Sequence, residues 1–149
     1  MKFASLALIG ALILATGTPT RAHHSFAGTY VLDQVATIEG TIVQFDIRNP
    51  HSFINLEIKG ADGKLIRWGV EWGGVTLLTQ TGVTRQTLKV GDRVAVTGAP
   101  SRDGFEHKVL IKIIRRPADG WSWGDRPEEF VKGYGGFAPT ATVPAPAPR

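Results

Sequence analysis

The sequence predicts an all-β fold, a small barrel of five strands with one short helix between the third and the fourth. Two observations carry that expectation. Residues 35–116 alternate apolar and polar side chains with the period of two that a half-buried strand requires. Gly- and Asp-containing turns divide the stretch into five runs, with a Leu- and Thr-rich break after the third.

The first run, Val35–Ile47, is long. Ile38 and Ile42 share one parity, whereas Val43, Phe45 and Ile47 take the other, and the switch lies near Gly40. A bulge or sharp bend in a coiled strand produces such a change of face. In the second run, Ser52–Lys59, Ile54, Leu56 and Ile58 face inward, and Lys64–Trp72 repeats the pattern with Ile66, Trp68, Val70 and Trp72. Ala61-Asp62-Gly63 joins them as a hairpin turn, its glycine free to adopt positive φ. Segment Gly74–Gly82 breaks the alternation with Leu77 and Leu78, and Gly82 stands where a helix C-terminal cap belongs. Val94, Val96 and Gly98 mark the fourth strand after the turn at Val90-Gly91-Asp92, and His107–Arg115 is the fifth. The order β1-β2-β3-α-β4-β5 with a long bent first strand is that of the OB barrel. A β-sandwich is the competing arrangement, but five strands in about 80 residues favour the small closed barrel.

Three domains of composition frame this pattern. In residues 1–22, Lys2 precedes an apolar run from Phe3 to Ala15, and a small-residue stretch ends in Thr20-Arg21-Ala22. A basic start, a short apolar core and small residues before a cut define a secretory signal peptide. The 13-residue run falls short of the roughly 20 residues that span a bilayer, so no stable membrane anchor is expected. The expected location is periplasmic or secreted. Residues 23–116 hold the barrel and its polar, aromatic lead-in. Residues 117–149 are rich in Trp, Gly and Pro and end in TATVPAPAPR, a composition that builds no core and predicts partial disorder. Trp121 and Trp123 lie outside the strand pattern, suited to folding over an apolar patch or forming a binding surface.

Charge and sulfur narrow the chemistry. Of the 17 Lys and Arg, cleavage removes Lys2 and Arg21, leaving 15 against 13 acids, a net +2. That is no electrostatic footprint for nucleic acid, and Lys108, Lys112, Arg115 and Arg116 read as a solvated strand face. The chain has no Cys, and its one Met is residue 1. Any mature metal site therefore uses nitrogen and oxygen ligands, which disfavours Cu(I) and blue-copper chemistry and leaves Cu(II), Zn or Ni.

His23 is the leading candidate ligand. A cut after Ala22 makes it the first residue, and its α-amine and imidazole Nδ1 then chelate one metal in a six-membered ring. The amine's ordinary pKa of about 7.7–8.0 lets a metal displace its proton near neutrality. A second imidazole opposite completes the T-shaped three-nitrogen arrangement called a histidine brace, which suits Cu(II). His51, in the turn Asn49-Pro50-His51, is the expected partner; His24 is the second choice and His107 the weakest. A cut after Gly17 removes the brace, and the same histidines then read as a polar end and a turn. Asp46, Glu57 and Glu71 alternate outward and read as solvated. Ser25 and Ser52 sit in no acylation motif, and no phosphate loop or dinucleotide fingerprint is present. The expectation is metal binding without turnover; the alternative is a metal-free module that takes a small ligand, glycan or protein partner.

The segments HHSFAGTY, NPHSFINLEIK, IRWGVEWGG and LKVGDRVAVTGAPSRDG follow one another in an order that resembles a family of small exported bacterial proteins of unknown function. The resemblance spans about residues 23–116 and rests on motifs that are short singly and specific jointly. It implies an exported OB-like barrel and brings no activity. His23, His24, Phe26, Asn49, Pro50 and His51 match the recurring positions.

Overall fold

A computed structural model of the chain describes residues 26–125; the expected signal peptide, His23, His24 and the chain beyond Asp125 lie outside the described residues. One helical turn, α1 (Phe26–Thr29), leads into β1 (Ala36–Asp46), β2 (Ser52–Lys59) and β3 (Leu65–Trp72). Helix α2 (Val75–Gln80) follows, then β4 (Arg93–Pro100), β5 (Lys108–Arg116) and β6 (Trp121–Trp123). The strands are ordered β3-β2-β1-β4-β5-β6. Parallel pairing of β3 with β5, through Gly69–Lys108, Val70–Val109 and Glu71–Leu110, closes the first five into a barrel. All other pairs are antiparallel. A closed five-stranded mixed barrel with one short helix between strands three and four is the OB-like fold that the sequence predicts.

The inward parity read from the sequence holds. Ile38, Ile42, Ile54, Leu56, Val70, Trp72, Val94 and Val96 are buried together, each of the aliphatic ones contributing about 1.5–3 kcal/mol. The irregularity in β1 falls between Ile42 and Gln44, slightly beyond Gly40. Gly40 instead marks a close approach: a Cβ there would meet the Glu57 carbonyl oxygen at 2.8 Å and Ile58 Cγ1 at 2.9 Å. Gly82 takes φ 78° immediately after α2, as a helix stop requires.

Three features differ from the sequence reading. The barrel pattern continues past residue 116, because β6 pairs with β5 through Ile114–Trp123 and Arg116–Trp121. Trp123 is 3% exposed and meets Trp72 edge-on, ring centroids 4.8 Å apart; two tryptophans spaced by one residue put one ring in the core and leave Trp121 half-buried against it. Lys112 is not on a solvated face. It is buried, and its ammonium donates to the Leu32 carbonyl at 3.0 Å, pinning the lead-in over β5. Arg116, also expected in solvent, joins two turns: it donates to Asp92 Oδ2 at 2.7 Å, to the Thr87 carbonyl at 2.7 Å and to both Asp119 oxygens.

No helix among the described residues is long and apolar enough to cross a membrane.

Candidate functional site

One end of the barrel gathers α1, the β1–β2 loop and the end of β3 around an open cavity of about 470 Å³. The register builds its walls. Phe53 faces Glu71 across the β2–β3 pair, so alternation turns both side chains to the same outer face. Glu71 pairs with Leu110 on its other side, and Tyr30 packs on Leu110 and Ala99. Backbone bonds fix Tyr30 there: Val31 N–H donates to the Pro100 carbonyl at 2.9 Å, and Arg102 N–H to the Thr29 carbonyl at 2.9 Å.

The Asn49-Pro50-His51 turn is held from both sides. Asn49 Oδ1 accepts the Val75 amide at 2.9 Å, capping α2, and Arg85 donates to the Ile47 carbonyl at 3.0 Å. Gly74 belongs to this contact, since a Cβ there would stand 2.6 Å from the Pro50 carbonyl oxygen and 2.7 Å from Asn49 Oδ1. The Asn49–Pro50 peptide is cis. Ser52, fully buried, exchanges bonds with the Arg48 backbone at 3.2 and 3.3 Å. His51 thus projects from an anchored loop.

The side chains at the centre form a relay. Tyr30 donates its hydroxyl proton to Glu71 Oε2 at 2.5 Å, and Glu71 Oε1 bonds His51 Nδ1. A carboxylate only accepts, so Nδ1 carries the proton, and in the neutral imidazole this tautomer keeps the lone pair on Nε2. Among the described residues Nε2 has no hydrogen-bond partner. The His51 side chain is 27% exposed and Glu71 14%, and the Phe26 ring stacks on the imidazole with centroids 5.0 Å apart. An imidazole fixed through Nδ1 by a carboxylate is the arrangement that orients a histidine toward a metal or a proton.

Glu71 is the residue that sequence reasoning missed. Its outward parity was read correctly, but outward here leads to Tyr30 and His51 rather than to water. The available signal was the joint presence of Tyr30 and the Asn-Pro-His turn in segments that match the same family, although their meeting is a product of topology. Of the expected ligands, His51 lines the cavity, whereas His107 packs at a tilt against Trp68, ring centroids 5.0 Å apart, and does not line it. His23 and His24 lie outside the described residues, and among the described residues no group of three or more His, Cys, Asp or Glu could hold a metal.

The model of a family of unknown function, DUF6152, matches residues 11–110. No curated protein matches the chain. Among solved structures it is similar to the mitochondrial single-stranded DNA-binding protein Rim1 of S. cerevisiae, at 13% identity, covering 56% of this chain and 92% of that one, with a TM-score of 0.43. It is also similar to the S. pombe Stn1–Ten1 complex, at 14% identity over 65% of this chain and 63% of that one, with a TM-score of 0.41. The small single-stranded DNA-binding protein of Streptomyces coelicolor gives 16% identity, 58% and 95% coverage and a TM-score of 0.37.

Proposed function

The chain belongs to the DUF6152 family, and from that premise we propose an exported OB-like protein that binds one Cu(II), or another divalent ion, through His51 and the amino terminus at His23. The observation that carries the reading is the relay: Glu71, itself bonded by Tyr30, holds His51 Nδ1 and leaves Nε2 without a hydrogen-bond partner among the described residues. Carboxylate support of this kind accompanies metal-ligating histidines and raises their basicity.

Chain length supports the second ligand. Phe26 lies against the His51 ring, and His23 precedes it by three residues, a reach of at most about 11 Å for an extended chain. A tether of that length is long enough for the α-amine and imidazole of His23 to reach an ion held at Nε2. Three nitrogens in a T suit Cu(II), which heads the affinity order for such ligands and accepts planar geometry. His24 is the alternative donor. The role is sequestration or handling of the ion in the cell envelope, without turnover.

The test begins with the intact mass of the secreted protein, which must correspond to a chain starting at His23. Calorimetric titration with Cu(II) then compares this protein with one carrying an extra Met before His23. The extension removes the α-amine from chelation and should weaken binding by tenfold or more, about 1.4 kcal/mol. A different start, or equal affinities, overturns the reading.

A further inference from the structure

The cavity holds a charge that the relay does not use. Arg48 lies on its wall, with the guanidinium over the Phe53 ring, 4.9 Å from the centroid. Every other arginine among the described residues reaches an oxygen. Arg67, Arg93, Arg115 and Arg116 reach carboxylates, and Arg85 and Arg102 reach backbone carbonyls. Arg48 alone among them has no oxygen partner, although Glu71 lines the same cavity. Both Glu71 oxygens are committed to Tyr30 and His51, so the carboxylate that lines the cavity makes no bond to Arg48.

We propose that the cavity is a binding site for a small organic carboxylate with a flat apolar body, and that Arg48 is the residue that recognises the carboxylate. A guanidinium laid on an aromatic face keeps its N–H edge directed outward, and that edge matches a carboxylate with two parallel hydrogen bonds. Phe26, Tyr30, Phe53 and Pro50 offer the apolar wall that the rest of such a molecule needs. A volume of about 470 Å³ falls within the range of small-molecule sites, which combine mostly apolar lining with a few placed polar groups. Inorganic anions satisfy the charge and leave the aromatic wall uncovered, so they fit less well. The inference does not depend on a metal at His51, because none of its contacts uses Nε2.

Benzoate is the probe, with benzamide as the neutral molecule of equal shape and sulfate as the charge without the ring. The three are titrated by calorimetry and by amide chemical-shift mapping into the purified protein after EDTA treatment, so the metal reading has no bearing on the outcome. Benzoate should bind saturably, shift the amides of Phe26, Tyr30 and Phe53, and exceed benzamide and sulfate by about tenfold or more. In Arg48→Gln the advantage over benzamide should vanish while the spectrum elsewhere stays unchanged, since Arg48 is exposed. Absence of saturable benzoate binding, equal binding of benzoate and benzamide, equal binding of sulfate, or a preference that survives Arg48→Gln overturns the proposal.

Discussion

Replacing Glu71 by Gln tests whether the relay serves a ligand or merely the fold. Glu71 accepts from Tyr30 at 2.5 Å and from His51 Nδ1 through its two oxygens. Glutamine keeps the shape but offers one acceptor oxygen and one amino group, so either Tyr30 or His51 faces a donor. The lost charge-assisted bond is worth about 1.5–3 kcal/mol. Removing a carboxylate that supports a ligating histidine lowers metal affinity by about 10–100-fold, or about 1.4–2.8 kcal/mol. Cu(II) affinity is measured by calorimetry against a competing amino-acid chelator at neutral pH, with circular dichroism confirming the barrel. An affinity within twofold of wild type would refute the reasoning, for then the Glu71 carboxylate supports no ligand.

Other consequences concern the frame. Trp123→Ala removes a nearly fully buried ring packed on Trp72 and should cost about 3–5 kcal/mol in urea unfolding; a loss below 1 kcal/mol would show that β6 contributes little. Asp119 is held below its ordinary value of 3.8 by the Arg116 hydrogen bond. Burial pushes Asp92 up, but its bonds to Arg116 and the Lys89 amide outweigh that and leave it below 3.8 as well. The folded chain therefore binds these protons less tightly than the unfolded one, so their stabilisation is complete above pH 3.8 and is lost as pH falls through the folded values. Arg116→Ala should flatten this acid limb of a denaturation series, and an unchanged limb would exclude the cluster as its source. Lys112 is shifted below 10.5 by burial, with Asp33 opposing. Protonation thus weakens the fold, and stability should rise as pH increases from the folded value toward 10.5. In Lys112→Met that alkaline rise should disappear, as urea midpoints across the range would show.

Alternation made the barrel legible, because each strand has one face buried and period two records which residues those are. Ile54, Leu56, Val70 and Trp72 announce their burial in this way. Trp123 does not, since a three-residue strand is too short to display a period and its neighbours Gly120 and Gly124 read as loop. Lys112 and Arg116 show the limit of reading charge as solvent exposure: each is covered by a segment distant in sequence, Leu32 in one case and Thr87 in the other. His51 was recognisable from its stiff turn. Glu71 was not, because its role depends on Tyr30, distant in sequence, packing on Leu110 of β5 and reaching Glu71 on β3. Arg48 was equally hidden, as only the contacts of the other arginines reveal that it lacks an oxygen partner.

The central claim is that His51 Nε2 ligates the ion, and electron paramagnetic resonance of the Cu(II)-loaded secreted protein addresses it most directly. Wild type should show coupling to three nitrogens, and His51→Ala should lose one of them with altered copper parameters. A His51→Ala spectrum identical to that of wild type would contradict the account.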